Sequence, residues 1–597
     1  MLKRKTVLTL IHSLTPAEKM LIGIFLGIAF LSGVILLNKV NDLLLIEVPA
    51  RGGQISEGIV GSPRFINPLI AISDADRDLT LLVYSGLMKA TPDGRLIPDL
   101  AESYTISEDG LVYTFTLREN LSFHDDTPIT TNDVLFTILK AQDPALKSPK
   151  RASWNGIAVQ QINEKDIQFT LKRPYAPFLE NTTLGILPKH IWEGADIEQF
   201  PFSQFNIEPI GSGPYRVTSV KRNASGIPEW YELSAFKKYT LGTPYMTHLF
   251  IQFYANEDEL VRAFKKGSVL NIHSITAEAL ADINTKESRV IQKPLPRIFA
   301  VFFNQNQASV LAHKEVRRAL DVGLDKEYIV RTVLGGYGTE IKSPIPPGIL
   351  PPESGGEEIS EATTPNTNTD TPSETATNED IASEETPEYP EHIMRARTIL
   401  ENGGWKWNKE IQVWEKKVKK ADVRLQFSLA TSNAPELKHT AEIIASSWRE
   451  IGIPVDLQIF EIGDLNQNII RPRKYESLFF GEIVGRELDL FAFWHSSQRN
   501  DPGLNIALYA NIASDKLLEE ARATTDTEER FSKYREFEKE VESDVPAVFT
   551  YSPDFVYIVP DRIQAVNIGS ISTPSERFLN IHEWYTNTDK VWGTFAK

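Results

Sequence analysis

A chain of 597 residues is too long for one hydrophobic core and, at roughly 100 to 200 residues per domain, holds about three. Hydrophobic residues make up 41% and charged residues 24%, which suits a folded protein, while eleven acidic and no basic residues between Glu353 and Pro390 carry most of the net charge of −17. The remainder is only mildly acidic and gives no footprint for nucleic acid, and a cysteine count of zero excludes disulfides, thiolate metal sites, cysteine nucleophiles and lipidated cysteine.

In chain order, the first predicted element is an apolar helix over Met20–Leu37, 18 residues without a charge. At 1.5 Å per residue it is about 27 Å long, just enough to cross a bilayer core of about 30 Å. Lys3, Arg4, Lys5 and Lys19 precede it and only Lys39 follows closely, so residues 1–19 are expected in the cytoplasm and the chain after about residue 38 outside. The run is longer than a signal-peptide core and lacks a small-residue cleavage site, which favours an uncleaved anchor over 20–37.

From Gly52 onward strand and helix signals alternate, giving an α/β or α+β chain. Tyr104 and Ile106 alternate into an Asp109-Gly110 turn, and Leu111, Tyr113, Phe115 and Leu117 alternate out of it, predicting a hairpin. A helix follows with Thr131 or Asn132 as its cap. The sequence GGYGTE, after a helical stretch ending at Leu334, has the wrong spacing for a phosphate loop and reads as a helix C-cap. Residues 353–390, almost all Glu, Asp, Ser, Thr, Asn, Ala and Pro, contain too little apolar surface to offset the entropy of ordering and read as a disordered insert. After it, strand 423–431, helix 435–452 and strand 455–462 form a βαβ unit with parallel strands and a right-handed crossover. Strands are also expected over 476–484 and 488–494.

The last of these runs into LFAFWHSSQRNDPG, residues 490–503, where Trp494, His495, Ser496, Ser497 and Asp501 crowd together. A serine hydrolase would need a hydroxyl touching its base, commonly in a G-x-S-x-G elbow, and no such motif occurs in the chain. The ten histidines form no zinc motif, and neither a Walker A loop nor G-x-G-x-x-G is present, so no metal or cofactor is expected, while paired carboxylates of the glycosidase kind leave no mark in sequence spacing. At the C-terminal end of a strand, where open α/β sheets place their ligands, the cluster reads either as a polar pocket wall with Trp494 lining it or as side chains that cap the strand end and bond nearby backbone.

Several segments in order, INPL (66–69), the long stretch 83–137, ILPKHIW (186–192), PIGSGPY (209–215), VFFNQN with 315–338, and FWHSSQRNDPGLNIALYAN (493–511), resemble the extracellular solute-binding proteins of peptide-type ABC transporters. The resemblance spans Gly52 to about Trp584 and implies a two-lobed α/β clamp of the type II periplasmic-binding kind with an inserted subdomain. Lobe I is then 52–76, 205–298 and 550–590, the inserted subdomain 77–204, and lobe II 299–549. It implies a monomeric binder of oligopeptides that delivers its solute to an ABC permease and its ATPases, tethered to the membrane by the N-terminal helix. An oligosaccharide or chelated metal as solute, or a surface sensor without transport, are the alternatives. The ligand-binding residues it implies are Asn67, Ile72, Asp74, Asn304, Tyr551, Trp494, His495, Ser496, Ser497, Gln498 and Asp501. The family's two charged anchors, an Asp for the peptide amine and an Arg for a carboxylate, are matched here by Ser497 and Phe491. Either Asp501 or Asp74 therefore takes the amine, or the ligand is not a free zwitterionic peptide.

Overall fold

A computed structural model describes residues 15–350, 389–418, 421–485, 488–569 and 571–592. The first 14 residues, and the acidic stretch apart from Tyr389 and Pro390, lie outside the described residues.

The apolar run forms a helix longer than expected, Pro16–Leu44. Pro16 sits in its first turn, and Thr15 caps it in a reciprocal capping box with Glu18. The segment 38–44 contains no Gly or Pro to end the helix, so it continues past Leu37. Its large apolar side chains, Phe25 and Phe30 among them, are exposed. Without an intervening linker the chain enters strand Leu45–Ala50, which pairs antiparallel with Asn587–Trp592, and Trp592 Nε1 donates to Asn41 Oδ1 at 2.9 Å.

The body is a two-lobed α/β clamp built on one long strand, Ala547–Pro560. The first half of that strand pairs with Arg297–Phe303, which continues through Ser477–Ile483 and Phe427–Ser432 to Val455–Phe460. Its second half pairs with Ser288–Pro294 and Asn271–His273, and from there the sheet runs through Gln54–Val60, His248–Tyr254 and Pro228–Ala235 to Tyr215–Arg222. Because side chains alternate faces, Ala547 and Phe549 enter one core and Val548 another; further along, Phe555, Tyr557 and Val559 enter a third and Val556 and Ile558 a fourth. Each half of the sheet is thus covered on both faces. The chain crosses between halves twice, at Pro294–Arg297 and near Pro553, and the crossings are tied together: Leu295 N donates to Pro553 O at 3.0 Å and Ser552 Oγ to Leu295 O at 2.8 Å.

The hairpin Ala101–Ile106 and Val112–Leu117 forms with Gly110 at φ +66°, within a four-stranded sheet whose core is continuous with that of the first lobe. The following helix, Thr131–Gln142, is capped one residue earlier than expected, by Thr130 with Asp133 completing the box. Gly335 and Gly336, both at positive φ, follow helix Lys326–Val333 as the C-cap reading requires.

The βαβ unit is present, with Phe427–Ser432 and Val455–Phe460 parallel across helix Pro435–Ile451 and Gly452 in the left-handed region behind it. Its first strand is broken, however: Val423 belongs to Ala421–Arg424 in a separate small sheet with Val413–Val418 and Lys406–Asn408. The expected strand 488–494 is instead a turn and a short helix, Phe491–Trp494. Asp489 Oδ1 accepts from Phe491 N at 3.3 Å, and Leu490 and Trp494, four apart, both point into the core. Leu488, Leu490, Ala492 and Trp494 also fit a period of two, which is why alternation misreads the segment.

Candidate functional site

A half-open cavity of about 440 Å³ lies on the first lobe and its inserted subdomain, with the second lobe at its edge. Helix Asp74–Val83, started by a capping box of Ser73 with Asp76, turns Arg77, Thr80 and Leu81 toward it. The chain leaving that helix adds Tyr84, the crossing between lobes adds Arg297, and the neighbouring strand of the second lobe adds Ile483. Lys89, Asp99, Lys150, Glu180 and Glu576 complete its charged lining.

Burial sets the electrostatics. The Tyr84 phenol is pushed well above its usual range by burial alone. Lys89 is brought down to about 8 by burial, against the opposing pull of Asp99 and Glu583, and donates to Tyr239 OH. Lys150 is lowered by burial and then by the neighbouring Arg77 cation. Arg297 is lowered by burial, which outweighs the carboxylates of Asp74 and Glu436. Glu436 is itself raised by burial and accepts from Tyr551 OH at 3.0 Å.

Thr80 Oγ1, Tyr84 OH and Arg297 Nε, buried atoms of cavity-lining residues, have no hydrogen-bond partner among the described residues. Buried polar groups are almost always paired, so these atoms keep unused hydrogen-bonding capacity.

The residues expected from sequence divide into three groups. Asp74, in the first turn of its helix, pairs with Arg77 at 3.5 Å and supports the charge of Arg297; Ile72 is exposed just before it. Asn67 is buried beneath this corner, its side chain receiving Leu69 N at 3.0 Å and donating to Asn206 at 3.1 Å. Tyr551 stacks on Phe299 at 5.0 Å and holds Glu436, whereas Asn304 pins a loop of its own lobe by donating to Arg473 O at 3.0 Å. Trp494 is no pocket wall: it is 0% exposed and packs against Phe302, Tyr509, Phe537 and Phe549.

His495, Ser496, Ser497, Gln498 and Asp501 do not line the cavity. His495 stacks on Phe491 at 4.0 Å, and its Nδ1 accepts from Ser497 N at 3.1 Å while lying 2.7 Å from Ser497 Oγ. Gln498 donates to Ser497 at 3.0 Å, Ser496 Oγ donates to Asp515, and Asp501 lies exposed 4.0 Å from Arg471. With Nδ1 taken by a backbone amide, the His–Ser pair is a cap for the turn Ser496–Gln498 rather than a base and its nucleophile.

Sequence reading missed Arg77, Thr80, Tyr84, Lys150 and Arg297. Arg297 alone left a trace, as a lone cation opening the apolar strand RIFAVFF.

Residues 95–503 match the family model described as bacterial extracellular solute-binding proteins, family 5. The oligopeptide-binding protein AppA of Bacillus subtilis is 25% identical over 543 residues, covering 90% of this chain and 92% of AppA. The solved structure of that protein with a nonapeptide superposes with a TM-score of 0.64 at 24% identity, over 90% of this chain and 99% of the other. NikZ of Campylobacter jejuni, solved with Ni(L-His), also gives 0.64, at 25% identity over 89% and 99% of the two chains.

Proposed function

The chain belongs to the bacterial extracellular solute-binding proteins of family 5, and from that premise we propose that it captures a short peptide between its lobes and delivers it to an ABC permease. The observation that carries this reading is the interlobe cavity with its unpartnered Thr80, Tyr84 and Arg297. At about 440 Å³ it lies at the small end of the range of roughly 300 to 1,000 Å³ usual for small-molecule sites, which suits a solute of few residues. The paired crossings at Pro294–Arg297 and Pro553 support a hinge between lobe I, which carries the inserted subdomain, and lobe II. Helix Pro16–Leu44 is long and apolar enough to hold the monomeric clamp at the outer face of a membrane.

Native mass spectrometry of the full chain, purified in detergent, tests the reading. A population of co-purified short peptides is the expected result; a bound oligosaccharide, a metal chelate or no solute would replace it.

A further inference from the structure

Three inward-facing guanidinium groups of this protein can be compared, those of Arg577 and Arg317, which are buried, and that of Arg297, which is half-buried. Arg577 is fully buried and paired with Asp78 at 2.7 and 2.9 Å and with Glu57 at 2.9 Å. Arg317 donates to three backbone carbonyls, those of Val545, Leu311 and Asp544, at 2.7 to 2.8 Å. Arg297, at the crossing between lobes, makes no hydrogen bond within 3.5 Å and no ion pair within 4.0 Å among the described residues, and its Nε is sealed from water. A desolvated, unpaired guanidinium is costly, and the protein avoids that cost at the other two sites.

The surroundings define what completes Arg297. Asp74 and Glu436 favour its charge from a distance, but Asp74 is engaged by Arg77 and Glu436 by Tyr551. Tyr84 OH and Thr80 Oγ1, both unpartnered, offer two further donors in the same cavity. A planar, acceptor-only group with two oxygens matches the guanidinium fork, leaving lone pairs for the hydroxyls. Arg77, Lys89 and Lys150 line the same cavity beside Asp99, Glu180 and Glu576, so the selection for a carboxylate rests on the planar fork of Arg297 rather than on net charge. Phe491, where the resemblance would put a carboxylate-binding arginine, is packed between His495 and the Arg522 guanidinium at 4.3 Å.

We propose that the solute carries a carboxylate, held by Arg297 with help from Tyr84 and Thr80, so that the charge anchor stands at the hinge. This rests on the interlobe cavity being the solute site.

The test compares thermal shifts of the full-length protein, in detergent, with a pool of di- and tripeptides bearing free C-termini and with the same pool C-terminally amidated. Wild type is expected to respond to the free acids at concentrations about tenfold or more below those needed for the amides. Arg297→Gln should lose that preference, and Arg297→Lys should keep part of it; the ligand-free melting temperature of each variant reports its folding. Equal responses to acids and amides in wild type, or an intact preference in folded Arg297→Gln, would overturn the carboxylate anchor while leaving peptide binding standing. If neither pool binds, native mass spectrometry decides: a carboxylate-bearing non-peptide solute on wild type, absent from Arg297→Gln, removes the peptide reading and supports the anchor. A solute without a carboxylate, or no solute, overturns the anchor.

Discussion

Across the mouth of the clamp, Tyr175 lends its hydroxyl to Asp489 Oδ2 at 3.3 Å. Asp489 is held in turn by Arg522 at 2.7 Å, and that guanidinium lies over the Tyr175 ring at 5.2 Å. Ala176 N donates to Arg522 O at 3.1 Å beside it. These contacts join the subdomain carrying Tyr175 to the lobe opposite, so they exist only when the lobes meet.

Tyr175→Phe should therefore weaken solute binding without touching the cavity. One hydrogen bond of about 0.5–1.5 kcal/mol, present only in the closed form, corresponds to a loss of about two- to tenfold. Titration calorimetry with the co-purified solute measures it; unchanged affinity would mean that the latch does not bias closure.

Arg577 ties three distant segments together, being bonded to Glu57 on a central strand and Asp78 on a helix with no exposure to water. Arg577→Met leaves both carboxylates buried without their partner, and a loss of about 3–5 kcal/mol is expected in denaturant unfolding. Replacing the exposed Arg95, paired with Asp93 at 2.7 Å, should cost under about 1 kcal/mol by the same measurement.

The ligand-free protein should lose stability on mild acidification. His124, buried between Gly211 N and Gly213 O, is lowered to about 4 by burial, and His582, beside Lys89, to about 3 for the same first reason. Between those values and an unfolded histidine near 6.5, the unfolded state binds more protons, so stability rises with pH over that window and falls as pH drops through it. For His124 the full span is worth about 3 kcal/mol, and His124→Gln should flatten the corresponding part of a melting-temperature profile taken from pH 4 to 7.

Trp494 and Tyr84 separate core from site. Trp494→Ala removes a fully buried indole and should destabilise by about 3–5 kcal/mol, with little change in affinity at temperatures where the variant is folded. Tyr84→Phe removes only a hydroxyl that has no partner among the described residues, so stability should hold while affinity falls by about tenfold. The opposite pattern would return the solute to the 490–503 segment.

Local regularity made part of this fold legible. The apolar helix, the Asp109-Gly110 hairpin and the unit around Pro435–Ile451 each declare themselves within some 30 residues, because period and turn chemistry act over that range. The solute cavity does not, since Arg77, Lys150, Arg297 and Glu576 meet only after the long strand has joined both halves of the sheet. A polar cluster close in sequence drew notice at 494–501, yet its hydrogen bonds are spent on its own turn and on Asp515.

The antiparallel ribbon of Leu45–Ala50 and Asn587–Trp592 follows the apolar helix directly, with Trp592 bonded back to Asn41. A support of this kind has no leash. With no loop residue between helix and ribbon, any rotation of the helix passes directly into the paired strands at the foot of the body.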